Sequence, residues 1–145
     1  MTAIRPASRA DAAAIRALIG QLGYAWTEAQ IATRITALLA TRADPILVAE
    51  AHGTVCGVLA LHIAPMLHHA EPQARITALV VDAGQRGRGI GRMLLGEAEA
   101  LARAAGCARL ELTSGLQREA AHAFYRAQGY AATSLRFART LAGSG

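Results

Sequence analysis

The stretch LVVDAGQRGRGIGRMLL, from Leu79 to Leu95, runs from an apolar segment through a cluster of glycines and arginines into a helical pattern. The apolar segment predicts a strand, and Ile90 and Leu94 begin the spacing of an amphipathic helix. A glycine turn between a strand and a helix directs backbone N–H groups at one point, where the helix dipole adds a partial positive charge. The stretch therefore predicts an anion site made mainly by backbone amides.

Two common phosphate-binding motifs do not fit this glycine cluster. The dinucleotide fingerprint G-x-G-x-x-G fails because Gly87 and Gly89 are followed by Arg92 at the third glycine position. The alternative frame, starting from Gly89 and Gly91, meets Leu94 there. A P-loop fails because no glycine of the cluster is followed by Lys and then Ser or Thr. The spacing excludes both classes.

Apolar patterns along the rest of the chain predict further strands and helices. In chain order they are a strand ending at Pro6, a helix with an N-cap at Ser8, a helix through Ile31 and Leu39, strands on either side of His52-Gly53, a strand over 75–83, a helix ended by Gly106, a strand over 108–114, a helix over 118–128 ended by Gly129, and a last strand over Ser134–Leu141. The order βααβββαβαβ predicts an α/β fold with a mixed sheet flanked by helices.

Length and composition indicate a protein with one core. The 145 residues suffice for one domain, which we place over residues 1–145. No apolar run approaches the roughly 18 residues of a membrane span, and the N-terminus lacks the order of a signal peptide, so we expect a cytoplasmic protein without membrane contact. The formal charge of +5 comes from arginines spread evenly and without interleaved aromatics, which suits an acidic small molecule better than nucleic acid.

Two motifs together carry a resemblance to a known family. The residues from Arg86 to Gly91 resemble the pyrophosphate-binding motif (Arg/Gln)-x-x-Gly-x-(Gly/Ala) of the GCN5-related N-acetyltransferase (GNAT) superfamily. About thirty residues on, the family has a helix ending in Ala-x-x-Phe-Tyr-x-x-x-Gly-(Phe/Tyr), and this chain matches it from Ala121 to Tyr130. The resemblance spans essentially the whole chain and looks closest to aminoalkylphosphonate-type small-amine acetyltransferases, through Leu67-His68-His69 among other features.

This resemblance implies a GNAT fold with a mostly antiparallel sheet, acetyl-CoA as the donor, and a small-molecule primary amine that attacks the thioester directly. The amides of the glycine turn would hold the pyrophosphate, the strand before it would pair with the pantetheine arm, and an amide near Val81 would polarise the thioester carbonyl. The side chains of Arg88 and Arg92 either touch phosphates or are merely solvated. The implied cofactor-binding residues are Leu79, Val80, Val81, Arg86, Gly87, Arg88, Gly89, Ile90, Gly91, Arg92 and Tyr125.

The resemblance also assigns the proton chemistry. Tyr125 matches the family position that faces the CoA sulfur, and a phenol that keeps its proton at neutral pH can give it to the departing thiolate. Many members carry a glutamate base where this chain has Ala78. A general base other than this glutamate could be Glu111, a water held by Thr113 or Ser114, or one of the histidines. No strong base is needed if the amine enters neutral.

In the family fold, the acceptor cleft is lined by the loop joining the first two helices and by the segment before the central strand. The implied acceptor residues are Tyr24, Trp26, His62, His68 and His69, with Glu111 and Thr113 from the next strand. A divalent metal bound by His62, His68 and His69 is an alternative, because histidine is a common metal ligand. No carboxylate or cysteine stands at ligand spacing from them, so the residues favour no metal site.

Other functions remain open from the sequence. The acceptor could be a protein N-terminus, a lysine or an aminoacyl-tRNA, or the chain could be an acyl-CoA-binding sensor without turnover. Retention of Tyr125 argues against the sensor, while the missing carboxylate at Ala78 argues mildly for it. Alternation of Leu135, Phe137 and Leu141 in the last predicted strand would cover either a core or the partner in a homodimer.

Overall fold

A computed structural model of the protein describes residues 1–143. The helices and strands are β1 (Thr2–Pro6), α1 (Ala12–Gly20), α2 (Glu28–Leu39), β2 (Ile46–Ala51), β3 (Thr54–Ala64), β4 (Gln73–Val81), α3 (Ile90–Ala104), β5 (Leu110–Leu112) and α4 (Glu119–Ala127). The chain forms two compact units, Met1–Leu112 and the residues from Thr113 onward. The first unit holds the whole sheet with α1, α2 and α3, and the second holds α4.

The sheet has five strands in the order β1-β2-β3-β4-β5. The first three neighbouring pairs are antiparallel, and β4 pairs with β5 in parallel. This arrangement confirms the predicted α/β class and the mixed, mostly antiparallel sheet. The expectation of a single domain over residues 1–145 stays a prediction.

The β2–β3 hairpin follows from its two turn residues. His52 and Gly53 both have positive φ, at 53° and 75°. A two-residue hairpin loop of this kind matches the right-handed twist of the strands it joins, and it needs residues that tolerate the left-handed region. The predicted turn at His52-Gly53 is confirmed, and it places Thr54, the first residue of β3, opposite Ala51, the last residue of β2.

A layer of α1 and α2 packs on the sheet through β-branched and aliphatic side chains. Its buried members include Ile15, Leu18, Ile31 and Ile35 from the helices and Val80 from β4. Burying side chains of this size contributes about 1.5–3 kcal/mol each to the hydrophobic free energy of folding. The site-bearing strand β4 is therefore anchored by its inward-facing residues.

Gly57 on β3 sets how closely α3 approaches the sheet. A Cβ at this position would lie 3.0 Å from Leu94 Cδ1 and 3.3 Å from Ile90 Cγ2. Gly57 is also the register partner of Val81, the last residue of β4. The missing side chain therefore lets the first turns of α3 pack beside the end of β4, where the glycine cluster joins them.

The last predicted strand, over Ser134–Leu141, is wrong: no regular secondary structure forms over this stretch. Leu135, Phe137 and Leu141 are 82%, 89% and 73% exposed. Alternating apolar residues form a stable strand only where a neighbouring edge supplies hydrogen bonds and a surface buries the apolar face. With such high exposure the second requirement is not met. The observed order ends with α4 among the described residues.

Cys56 is buried and Cys107 is partly buried, and both are free thiols. Across residues 1–143, helices long and apolar enough to cross a bilayer are absent.

Candidate functional site

The second half of β4 has one free edge within the first unit. Its pairing with β5 covers only Ala74, Arg75 and Ile76. From Ala78 to Val81 the strand pairs with β3 on its other side. Within Met1–Leu112, this leaves the last residues of β4 without a strand neighbour on the β5 side.

The hydrogen-bond pattern identifies which backbone groups face that free edge. Asp82 N–H donates to the Cys56 carbonyl at 2.8 Å, so Asp82 is directed at β3. Inward and outward residues alternate in an antiparallel pair, which directs Val80 at β3 as well. Leu79 and Val81 therefore point their N–H and C=O groups outward. An extended ligand could pair with these groups as an added strand.

A β-bulge separates the paired half of β4 from this free half. The register passes from Leu61↔Ile76 to Ala60↔Ala78, so Thr77 is the extra residue. Thr77 Oγ1 donates to the Ala60 carbonyl at 3.3 Å. Bulges bend a strand, increase its local twist and exchange the faces of the residues that follow. The bulge lies at the point of β4 where the pairing with β5 ends, at Ile76↔Leu112.

Asp82 organises the turn that follows β4. Its Oδ2 accepts the Gly84 N–H at 3.1 Å, and its carbonyl accepts the Gln85 N–H at 2.9 Å. A short 3₁₀ helix over Ala83–Gln85 results. The amides of this first part of the turn are thus used internally, and the anion site must lie further on.

The glycine cluster has the geometry of an anion cradle. Gly87 and Gly89 have φ of 81° and 78°, a region that residues with a Cβ rarely adopt. Gly89 is the N-cap of α3, and the first helical bond runs from Met93 N–H to the Gly89 carbonyl at 3.0 Å. The amides of Ile90, Gly91 and Arg92 precede that bond, so they are available to a ligand.

The arginines of the cluster divide into two kinds. Arg86 Nε donates to the Val81 carbonyl at 3.4 Å, so this side chain folds back over the end of β4. Arg88 and Arg92 are exposed and form no ion pair with residues 1–143. Their guanidinium groups remain available to an anion, but the ordered donors of the cradle are the backbone amides.

Gln21, at the end of α1, contacts the turn after β4. Its Nε2 donates to Asp82 Oδ1 at 2.8 Å, and its Oε1 accepts the Ala83 N–H at 3.0 Å. The loop between α1 and α2 starts at this residue. The predicted acceptor loop is therefore attached directly to the turn that carries the cradle.

Five of the predicted acceptor residues, those from the α1–α2 loop and the segment before β4, occupy three separate places in the first unit. Tyr24 and Trp26 lie in the α1–α2 loop and are 58% and 38% exposed. His62 is on β3, and its Nδ1 is 2.7 Å from Asp44 Oδ1. This hydrogen bond is the main cause of the lowered pKa of Asp44. His62 is therefore already paired with a carboxylate.

His68 and His69 lie in the loop between β3 and β4, with ring centroids 4.3 Å apart. Because this segment is not a strand, the neighbouring rings lie side by side rather than on opposite faces. In the part of the chain that the structure describes, groups of three or more His, Cys, Asp or Glu that could hold a metal are absent.

The expected carboxylate position on β4 is occupied by a methyl group. Ala78 pairs with Ala60 and is partly buried. Glu111 on β5 lies opposite Arg75, which is three residues or about 10 Å along the strand from Ala78. Gln73 Nε2 donates to Glu111 Oε2 at 3.4 Å. Glu111 therefore lies on the paired half of β4 and not beside its free edge.

The second unit holds Tyr125 on α4. Its ring contacts Phe124 and Tyr130, with centroid separations of 5.4 and 6.3 Å. Partial burial raises the pKa of the Tyr125 phenol, and the nearby Arg118 opposes part of that rise. The phenol is therefore protonated at neutral pH.

Two hydroxyls near the start of the second unit differ in their contacts. Thr113 Oγ1 accepts a hydrogen bond from Arg136 at 3.3 Å. Ser114 Oγ is buried and has no hydrogen-bond partner among residues 1–143. A buried hydroxyl without a partner is a position where a water or a ligand atom fits.

Sequence reasoning missed four residues that shape the first unit's site: Gln21, Arg34, Gly57 and Thr77. The contact of Gln21 with Asp82 spans 61 residues, and local patterns do not report such distant pairs. Arg34 lies over the Trp26 ring, with 5.5 Å from its Cζ to the ring centroid. The glycine in a strand at Gly57 was the one available signal, since it often marks a close approach by another element.

The α/β fold of the first unit thus joins a strand with a free edge to a glycine turn at a helix start. The comparisons with known proteins place it more narrowly. The family model described as "Acetyltransferase (GNAT) family" matches residues 12–130. The chain belongs to the GNAT acetyltransferase family, which confirms the resemblance predicted from its two motifs.

One curated relative is the aminoalkylphosphonate N-acetyltransferase of Salmonella typhimurium, which is 41% identical over 90 residues. The match covers 62% of this chain and 58% of the relative, so it spans little more than half of that protein's length. A protein of Agrobacterium tumefaciens str. C58 with a provisional acetyltransferase description has a TM-score of 0.88 and 29% identity, over 96% of this chain and 99% of that one.

The aminoglycoside N-acetyltransferase AAC(6')-Iy, whose structure was solved in complex with CoA, has a TM-score of 0.86 at 17% identity. The alignment covers 97% of this chain and 95% of that chain. At this identity the likeness shows a common fold alone.

Proposed function

We propose that this protein transfers an acetyl group from acetyl-CoA to the primary amine of a small molecule, by direct attack of the amine nitrogen on the thioester carbonyl. The observation that carries the proposal is the free edge of β4, which runs directly into the glycine cradle at the start of α3. A linear arm with a pyrophosphate at its end matches that order of binding groups.

The residues present fit acetyl-CoA. Outward N–H and C=O groups of Leu79 and Val81 would pair with the amides of the pantetheine arm. Val80 faces the core and would act by holding the strand in place. The amides of Ile90, Gly91 and Arg92 would bind the pyrophosphate oxygens, with Arg88 available for charge-assisted contacts. Bound acetyl-CoA supplies the activated acyl group.

The outward N–H of Val81 or of Leu79 is proposed to hold the carbonyl oxygen of the thioester as negative charge develops on it. Backbone donors fixed in a strand need no reorganisation during the reaction. In enzymes where one such donor has been removed, the loss of transition-state stabilisation is about 3 kcal/mol. The Arg86 contact with the Val81 carbonyl supports this role by holding the end of the strand.

Tyr125 is proposed as the general acid that protonates the departing sulfur. Its phenol has a pKa raised by partial burial, so the proton is present at neutral pH. The match to the family's second motif is the other support for this role. The C–S bond breaks as the amide C–N bond forms, and the phenol proton passes to the thiolate.

The proposal includes no strong carboxylate base. Ala78 offers none beside the free edge, and Glu111 is hydrogen-bonded to Gln73 on the paired half of β4. A water would then accept the amine proton, and an amine that enters neutral needs no strong base.

A small-molecule acceptor is favoured over a protein or aminoacyl-tRNA by the Salmonella relative, whose name specifies an aminoalkylphosphonate.

A homodimer is supported by the exposed apolar side chains of Leu135, Phe137 and Leu141. Sedimentation equilibrium of the purified protein tests the dimer.

Thiol release from acetyl-CoA across a panel of amines tests the proposed reaction. The panel should contain small primary amines, an N-terminal peptide, a lysine peptide and an aminoacyl-tRNA, with mass spectrometry of each product. Thiol release with a small amine and the matching acetylated product supports the proposal. Saturable acetyl-CoA binding without thiol release for any amine would indicate the non-catalytic sensor instead.

A further inference from the structure

An open groove lies between the α1–α2 loop and the outer face of α2. Its volume is about 390 Å³, and it is lined by Trp26, Ala29, Gln30, Thr33 and Arg34. None of these five side chains is acidic, and all except Ala29 carry polar hydrogens. The groove, which we call the Trp26 groove, therefore combines one aromatic wall with a positive, donor-rich wall.

Arg34 supplies the charge of the Trp26 groove. Its Cζ lies 5.5 Å from the centroid of the Trp26 ring, which orients the planar guanidinium by a cation–π contact. Arg34 forms no ion pair with residues 1–143, unlike Arg5, whose guanidinium binds Asp11 and Glu50. A guanidinium held by an aromatic ring and lacking an acidic partner retains its donors for a bound oxyanion.

The backbone of the groove is held in place by three hydrogen bonds. Arg16 Nε donates to the Trp26 carbonyl at 2.8 Å. Thr27 caps α2, since its Oγ1 accepts the Gln30 N–H at 3.1 Å while Gln30 Oε1 accepts the Thr27 N–H at 2.9 Å. The groove is therefore formed before a ligand arrives, which lowers the entropic cost of binding.

The Trp26 groove is connected to the cradle through Gln21. This residue lies five positions before Trp26 and is hydrogen-bonded to Asp82 and Ala83 in the turn after β4. Five residues span at most about 17 Å. A small molecule bound in the groove therefore lies within one loop length of the strand end that carries Val81.

From these contacts we infer that the Trp26 groove is an acceptor subsite, in which Arg34 binds an oxyanion at the far end of the amine substrate. The inference rests on the proposed acetyl transfer and extends it to a substrate class, primary amines that carry a phosphonate, phosphate or carboxylate. The methylene groups between amine and anion lie against the Trp26 ring. Arg34 acts as a specificity-determining residue and takes no part in proton transfer.

A binding experiment tests the subsite without turnover. Trp26 is the single tryptophan of the chain, so its fluorescence, excited selectively, reports on this groove. Methylphosphonate, inorganic phosphate and acetate are titrated separately at constant ionic strength, with chloride as the control anion. We expect a saturable change with at least one oxyanion, weakened about tenfold or more in Arg34→Gln because a charge-assisted hydrogen bond is lost. The oxyanion that saturates at the lowest concentration identifies the preferred group.

The exposed Arg42 provides the matched control. Arg42→Gln removes the same charge from outside the Trp26 groove and should leave the titration unchanged. Circular dichroism melting verifies that both variants are folded. A response equal to that of chloride, or one that Arg34→Gln leaves intact, would overturn the subsite.

Steady-state kinetics then separate the subsite from the proposed reaction. ω-Amino phosphonates, ω-amino carboxylates and neutral ω-amino alcohols of equal chain length serve as acceptors. Arg34→Gln should raise KM for the anionic amines about tenfold and leave KM for the neutral amine and acetyl-CoA unchanged. Equal effects on all acceptors would contradict the subsite while leaving acetyl transfer intact. A fluorescence response without acetylation of any amine would support the anion site and contradict the proposed function.

Discussion

Gln21 and Asp82, 61 residues apart, are joined by a hydrogen bond of 2.8 Å from the Gln21 Nε2 to Asp82 Oδ1. The same Gln21 amide accepts the Ala83 N–H at 3.0 Å. The Gln21 side chain thus forms hydrogen bonds with both Asp82 and Ala83, in the turn that links the free edge of β4 to the cradle. It also sets where the α1–α2 loop begins, so the proposed donor and acceptor regions share one anchor.

Replacing Gln21 should therefore weaken the binding of both acetyl-CoA and the amine. Gln21→Ala removes two hydrogen bonds, each worth about 1 kcal/mol, and should raise KM for acetyl-CoA and for the amine about three- to tenfold. Gln21→Glu keeps an acceptor for Ala83 but places a second carboxylate against Asp82, so its effect should be larger near neutral pH. Initial-rate kinetics of both variants test this. A change in the KM of only one substrate would show that the anchor does not couple the two regions.

Gly89 should not tolerate a side chain. Its φ of 78° lies in the left-handed region, where a residue with a Cβ costs about 1–2 kcal/mol. Gly89→Ala should lower the free energy of unfolding by that amount and raise KM for acetyl-CoA about tenfold, because the first amides of α3 lose their alignment.

Gly96 is the matched control for Gly89. It lies in the interior of the same helix, and a Cβ there would meet no atom within 4 Å. Gly96→Ala should stabilise the protein by about 1 kcal/mol through helix propensity and leave the kinetics unchanged. Denaturant unfolding and acetyl-CoA kinetics distinguish the two variants. Equal KM values for both would argue against the glycine cradle as the pyrophosphate site.

Removing the Tyr125 hydroxyl should slow the chemical step. Tyr125→Phe retains the ring contacts with Phe124 and Tyr130 but has no proton to give, so kcat should fall about 10²-fold with little change in KM for acetyl-CoA. Tyr130→Phe is the control, since the family motif accepts either residue there, and its kcat should remain within about twofold of the unmodified enzyme. Near-normal turnover in Tyr125→Phe would remove this phenol from the mechanism.

Asp11 should make stability depend on pH in the acid range. Its carboxylate is 7% exposed and binds Arg5 at 2.8 and 2.9 Å, and this ion pair is the main cause of its lowered pKa. The folded pKa lies below the unfolded value of about 3.9, so the stabilisation is complete above that pH and is lost as pH falls through the folded pKa.

Asp11→Asn should therefore lower the free energy of unfolding at pH 7 by about 1–3 kcal/mol, and the difference from the unmodified protein should shrink below about pH 4. Glu50→Gln is the comparison. It removes a carboxylate from the same Arg5 guanidinium, but its side chain is 35% exposed, so its effect should be about 0–1 kcal/mol. Urea unfolding between pH 3 and pH 7 measures both variants. A difference that grows on acidification would contradict the assignment.

The sequence predicted the local structure of the proposed donor region, but not the arrangement of the proposed acceptor residues. Gly87, Gly89 and the start of α3 obey local rules, because their φ values and helix spacing involve only a few neighbouring residues. The predicted acceptor residues were carried over from a family likeness, and the structure distributes them over two loops, the strands β3 and β5, and the second unit. His62 is paired with Asp44, a contact that no local pattern in the sequence reports.

The sequence by itself determined the strand, glycine turn and helix of the cradle, the hairpin at His52-Gly53, and membership of the family. Each of these depends on backbone preferences acting over a few residues. Only the tertiary structure decided that β4 has a free edge after Ile76, that Gln21 anchors the turn, and that Arg34 stacks on Trp26. It also decided that the last predicted strand does not form. Strand edges and side-chain partners are supplied by distant parts of the chain, so alternation alone cannot determine them.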